Sequence, residues 1–174
     1  MKHKTKIIAI TGAESTGKST LARALATHYN VPFVPEFARS YVEQLHRSYT
    51  YDDVILIAKK QIEQYNEMLS QEPPLIILDT WLLITKIWLD VVYGKVPVWI
   101  DQAIKETRID TFLVCDTDLP WVADPVRENG GADREKLQQT YIRELKNYHF
   151  PFHTIKGNYE ERKKAAIKVI SSLD

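Results

Sequence analysis

The sequence predicts an α/β fold: a central parallel sheet of about five strands, helices on both faces in three layers, and a short lid. Three observations predict it. Short apolar runs alternate with longer segments whose apolar residues recur at helical spacing. The apolar runs are nearly continuous, as strands covered on both faces require. The first run leads directly into GAESTGKST (12–20), a glycine-containing loop with an amphipathic segment behind it.

Each element has its own signal. KIIAIT (6–11) is the first strand. In KSTLARALATHY (18–29), Leu21, Ala22, Leu25, Ala26 and Tyr29 form one helical stripe. VPFV (31–34) is a short second strand. TYDDVILIAKKQIEQYNEML (50–69) is a long helix, with Thr50 and Asp53 in a capping-box arrangement. LIILD (75–79) is a fully apolar strand ending in a carboxylate. TWLLITKIWLDVVY (80–93) reads as a helix closed by Gly94 and Pro97. TFLVCD (111–116) is a strand, REKLQQTYIRELKNY (134–148) a helix and PFHTIKG (151–157) the last strand. NYEERKKAAIKVISSL (158–173) closes the chain as a helix with Asn158 at its N-cap. The polar segment DPVRENGGADR (124–134) reads as a mobile lid inside a single domain of residues 1–174.

Lys+Arg and Asp+Glu both number 23, so the chain has no basic surplus for a large nucleic-acid footprint. Cys115 is the one cysteine and lies in an apolar strand, which fits a reducing compartment and a core role. The run IIAI is too short for a signal-peptide core, and no run approaches a membrane span. A soluble, cytoplasmic protein without nucleic-acid or membrane partners is expected. The five histidines have no ligand spacing, so no structural zinc is expected.

Gly12, Gly17, Lys18 and Ser19 complete the pattern G-x-x-x-x-G-K-[ST] of a P-loop, between a buried strand and a helix as that motif needs. Backbone N–H groups from Gly12 through Ala13, Glu14, Ser15, Thr16 and Gly17 to Thr20 would cradle nucleotide phosphates at a helix N-terminus. Lys18 would reach the terminal phosphates of ATP, and the Ser19 hydroxyl would bind Mg²⁺. Asp79, at a strand end, is the natural second metal residue; it can equally cap the following helix. Asp116 and Asp118 read as loop residues.

The P-loop leaves three classes open. A GTPase would show N-K-x-D after a strand, and the chain has none. A kinase needs a carboxylate at the acceptor, an acceptor pocket and an arginine-bearing lid. Glu36 and Arg39 follow the second strand, where α/β sheets place ligands; they can also be a plain surface pair. Arg127 and Arg134 lie on the predicted lid. Trp121 can stack on a flat ring or pack in the core, whereas Trp88 reads as core. A P-loop ATPase or switch acting on a protein partner, and a kinase of another nucleoside, remain alternatives.

GAESTGKSTLARALA, VPEFARSY, ILDTWLLITKIW, LPWVADPVREN and IKGNYEERKKAAIKVI, in that order, resemble the ribosylnicotinamide kinase domain of the NadR family, with its AAA-like P-loop. The resemblance covers almost the whole chain. It implies a kinase that uses ATP and Mg²⁺ to convert nicotinamide riboside to nicotinamide mononucleotide in NAD biosynthesis. It further implies that Glu36, Arg39 and Asp79 serve phosphoryl transfer and the acceptor, and that Gln61 faces the substrate. Trp121, Asp124 and Arg127 would form the lid entrance; Asn158, Tyr159 and Arg162 would lie near the nucleotide base. Two positions depart from the family pattern. Trp81 stands where the family often has a second Asp after Asp79-Thr80, and Pro35 where some members place an aromatic residue before the Glu. The larger members also carry a nucleotidyltransferase domain, for which 174 residues leave no room. The product would then pass to a separate adenylyltransferase.

Overall fold

The computed structural model of the chain describes residues 4–123, 126–128 and 130–173. The first strand, β1 (Lys6–Thr11), enters the P-loop and α1 (Lys18–Tyr29). Then follow β2 (Phe33–Val34), α2 (Phe37–Gln44), α3 (Tyr51–Ser70), β3 (Leu75–Asp79), α4 (Leu82–Tyr93) and α5 (Val98–Glu106). The chain continues through β4 (Thr111–Cys115), α6 (Gly131–Asn147), β5 (Phe152–Ile155) and α7 (Tyr159–Ser171).

The five strands form one parallel sheet in the order β2-β3-β1-β4-β5. Side-chain alternation builds a core on each face. Ile7, Ala9, Ile76, Leu78, Phe112 and Val114 point toward α3, α4, α5 and α6. Ile8, Ile10, Leu75, Ile77, Leu113 and Cys115 point toward α1 and α7. This is the predicted three-layer arrangement. No helix among the described residues is long and apolar enough to cross a membrane.

The elements differ from the sequence reading in four places. β2 starts at Phe33, not residue 31. The reason is local: Asn30 closes α1 in the left-handed region, the Val31 N–H bonds back to Ala26 O, and Pro32 has no N–H to give the sheet. Helix α2 was not foreseen; in FARSYVEQ only Ala38 is buried, so no apolar stripe marks it. Helix α5 was not foreseen either, because Pro97 reads as a terminator, yet it sits at the N-cap of α5. Finally, α6 begins at Gly131, so residues 131–134 belong to a helix rather than to the lid.

Candidate active site

The P-loop, Glu36, Asp79 and the 116–123 segment all lie at or just past the carboxyl ends of strands, so the sheet delivers them to one edge. The P-loop backbone demands its glycines. Gly12 has φ +134°, and a Cβ there would lie 2.5 Å from the Cys115 carbonyl oxygen. Gly17 caps α1 with φ +78°. The first N–H groups of α1, at Lys18 to Thr20, have no intrahelical partner and stand ready for an anion.

Side chains hold the loop's carbonyls from behind. Ala13 O accepts from Lys18 Nζ at 2.9 Å and from Thr16 Oγ1 at 2.8 Å. The Ala13 N–H donates to Gln138 Oε1 at 2.8 Å, and Gln138 Nε2 donates to Cys115 O at 3.0 Å. Arg134, 6% exposed, donates to Glu14 O and Ser15 O at 2.9 Å, to Leu119 O at 2.8 Å and to Thr117 O at 3.3 Å. Arg162, 2% exposed, donates to Thr16 O at 2.9 Å, to Gly157 O at 2.7 Å and to Asp116 O at 3.1 Å, and pairs with Asp118. Two guanidinium groups therefore fasten the phosphate loop to the chain that follows β4. Arg134 is a brace within α6, not a mobile lid arginine.

Asp79 is 4% exposed, and its Oδ1 is buried without a hydrogen-bond partner. Burial pushes its carboxyl above the usual range, against the Ser19 hydroxyl, Lys18, Arg23 and the Glu36 N–H, which hold it down. Thr80, the next residue, is β-branched yet has φ +66°, and its N–H is held by Ile10 O at 3.0 Å. A strained turn thus fixes Asp79 against the start of α1. A buried unpartnered carboxylate oxygen beside a serine hydroxyl is a donor set that fits Mg²⁺, a hard cation that takes oxygen ligands.

Glu36 stands between β2 and α2 as the N-cap residue, without a side-chain cap bond. Burial raises its carboxyl above the usual 4.5, Lys18 and Arg39 oppose the shift, and Asp79 and Glu14 add to it. Glu36 therefore belongs to one electrostatic cluster with the P-loop lysine and the metal candidate. Arg39 pairs with Glu43 at 3.0 Å, one helical turn on.

A cavity of about 960 Å³ joins these groups. One end is Gly12 and Glu14 to Thr20; Glu36 and Arg39 border it. The rest of the lining mixes apolar and aromatic side chains, Val42, Leu45, Tyr49, Ile84, Ile87, Trp88, Leu137 and Tyr141, with the polar Glu43, Arg47 and Ser48. Val126, Arg127 and Glu128 close over it. Trp88, read from sequence as core, lines this cavity and meets Tyr49 edge to face at 4.8 Å. The sequence reading passed over Tyr49, which lies in an unassigned loop before α3, and its hydroxyl donates to Glu128 at 3.0 Å.

The remaining predicted residues divide. Arg127 lines the cavity and donates to Val122 O. Trp121 lies against Gly130, where a Cβ would come within 3.4 Å of its ring, and does not line the cavity. Asp124 lies outside the described residues. Gln61 is buried between α3 and α4 and accepts from Thr85 Oγ1 at 2.5 Å. Asn158 caps α7 through a reciprocal bond pair with Glu161, and Tyr159 is 47% exposed. Asp116 pairs with Lys156 at 3.3 Å and Asp118 accepts from the Gly157 N–H at 2.6 Å, so both serve the loops, as expected.

Residues 7–162 match the family described as an AAA domain. The chain is 26% identical over 176 aligned residues to the trifunctional NAD biosynthesis/regulator protein NadR of Salmonella typhimurium, an alignment covering 97% of this chain. It spans 42% of the length of that relative. A crystal structure of NadR protein in complex with NAD and AMP-PNP superposes with a TM-score of 0.81 at 22% identity, covering 99% of this chain and 50% of that one. A second, of NadR protein in complex with NR, gives 0.80 at 21% identity over the same shares. Thymidylate kinase from Ehrlichia chaffeensis gives 0.70 at 15% identity, covering 98% of this chain and all of that one. The family match runs from the first strand to the last helix, and the chain belongs to the AAA domain family.

Proposed function

We propose that this protein is an ATP-dependent small-molecule kinase that phosphorylates nicotinamide riboside to nicotinamide mononucleotide. One observation carries the reading: a single cavity is lined both by a phosphate-binding loop and by aromatic and apolar side chains, with the half-buried Glu36 on its wall. That is the layout of a phosphoryl donor site facing an acceptor site. Its likeness to NadR, whose name places it in NAD biosynthesis and whose structure binds NR, supports the choice of acceptor.

The α1 N-terminus and Lys18 hold the ATP phosphates; Lys18 leaves Ala13 O to do so. Ser19 and Asp79 would hold Mg²⁺, which neutralises charge on the β- and γ-phosphate oxygens when bound. Glu36 orients the acceptor 5′-hydroxyl and takes its proton as the oxygen bonds to the γ-phosphorus and the bridging oxygen leaves with ADP. Arg127 balances the charge of the transferring group, and Val126 to Glu128 exclude water. Trp121 stands beside this lid, against Gly130. The likeness to NadR would put Asn158 and Tyr159 toward the nucleotide base and Gln61 toward the acceptor, although Gln61 is buried against Thr85 and none of the three lines the cavity.

The test is Glu36→Gln, which keeps the shape and removes the base. The expected result is a loss of about 100-fold or more in kcat with little change in KM for ATP, measured by ADP release. Undiminished kcat would remove Glu36 from the chemistry.

A further inference from the structure

The buried residues of α6 are Arg134, Gln138, Tyr141 and Leu145, at i, i+4, i+7 and i+11, so one helical stripe carries all four. Leu145 ends the stripe in the apolar core. Gln138, 1% exposed, sets an amide in its middle. A buried amide is costly unless its polar atoms are paired, and here both ends are used. Its Oε1 accepts from the Ala13 N–H at 2.8 Å, and its Nε2 donates to Cys115 O at 3.0 Å. That same Cys115 oxygen would lie 2.5 Å from a Cβ on Gly12. The amide of Gln138 thus spans the entry of the P-loop and the end of β4 where the two backbones come closest.

We propose that Gln138 is a positioning residue for the nucleotide phosphates: it holds the entry of the P-loop against β4 in the shape that receives them. The inference rests on the nucleotide-binding half of the kinase reading above. The chemistry of the span restricts the residue. One end must accept from an N–H and the other must donate to a carbonyl; a side-chain amide does both, and glutamine is the longer of the two amides. Ala13 O accepts from Lys18 Nζ and Thr16 Oγ1, so both polar groups of Ala13 are held. When the phosphates draw Lys18 away, the bond from the Ala13 N–H to Gln138 has no need to break. The loop then keeps its shape through binding, and the ordering cost is met in the fold instead of at the encounter. The Ala13 N–H, expected from the sequence among the phosphate donors, belongs to the frame of the loop.

The experiment reads nucleotide binding apart from turnover. A non-hydrolysable ATP analogue with Mg²⁺ is titrated by calorimetry into the full chain and three variants, with urea unfolding of each beside it. Gln138→Met keeps the length and removes both bonds, and should bind the analogue about 10-fold more weakly. Gln138→Asn keeps the amide one methylene short of the span, and should still lose about 3-fold. Leu145→Val thins the far end of the same stripe; it should lower urea stability and leave the affinity within about 2-fold of the natural chain. A Gln138 that is only a satisfied core amide would change stability alone. Natural affinity in folded Gln138→Met or in Gln138→Asn, or an equal loss of affinity in Leu145→Val, overturns the proposal. The predicted pattern of binding in a chain that phosphorylates no riboside would instead overturn the kinase reading and leave the assignment of Gln138 standing.

Discussion

Arg134 and Glu36 define the account at the scale of single residues. Arg134 directs its donors to four carbonyls, two of them in the P-loop. A buried carbonyl without its donor is costly, so Arg134→Leu should lower unfolding stability by about 3 kcal/mol, read from urea denaturation. Arg134→Lys keeps the charge but not the planar fork, and should recover less than half of that loss. Glu36 gives a pH dependence. A base must be ionised to act, and burial raises its carboxyl above 4.5. Activity should therefore fall as pH drops through that raised value, and Glu36→Gln should lack this acid limb in a pH–rate profile. Glu36 was legible in the sequence because it follows a short apolar strand. Arg134 was not: in GGADREK it is one charge among several, and only burial beneath the P-loop sets it apart from a solvated face.

At the scale of elements, capping and apolar rhythm were the readable signals. The Thr50–Asp53 box is present at the start of α3, with the Thr50 N–H donating to Asp53 at 2.7 Å. It also anchors the loop that carries Tyr49, since Asp53 accepts from Arg47 and from the Tyr41 hydroxyl. Thr50→Ala should cost about 1 kcal/mol in urea unfolding. The strands β1 and β3 appear with the bounds read from the chain, because a strand buried on both faces has an unbroken apolar run. Helices α2 and α5 escaped because one fully buries only Ala38 and the other begins behind a proline. That gap mattered for the site. Without α2, the cavity wall from Ala38 to Tyr49 had no place in the sequence reading.

At the scale of the molecule, the site is built against stability. Asp79 is buried with one oxygen unpartnered, and its carboxyl titrates above the usual range because of that burial. The folded chain thus binds this proton more tightly than the unfolded chain does. Above the raised value the buried charge opposes folding. Asp79→Asn should raise the Tm of the nucleotide-free protein by about 2–4 °C, the equivalent of about 1 kcal/mol in a domain of this size. The same variant should lose the extra stabilisation that Mg²⁺ adds to nucleotide binding, followed by thermal shift with and without the metal.

Acceptor dependence tests the central claim most directly. ATP consumption is measured with Mg²⁺, with and without nicotinamide riboside, beside Lys18→Ala as the blank. The account predicts slow consumption until the riboside is added, then a large increase with a 5′-phosphorylated riboside as product. ATP consumption that is indifferent to the riboside, with no phosphorylated riboside formed, would contradict it.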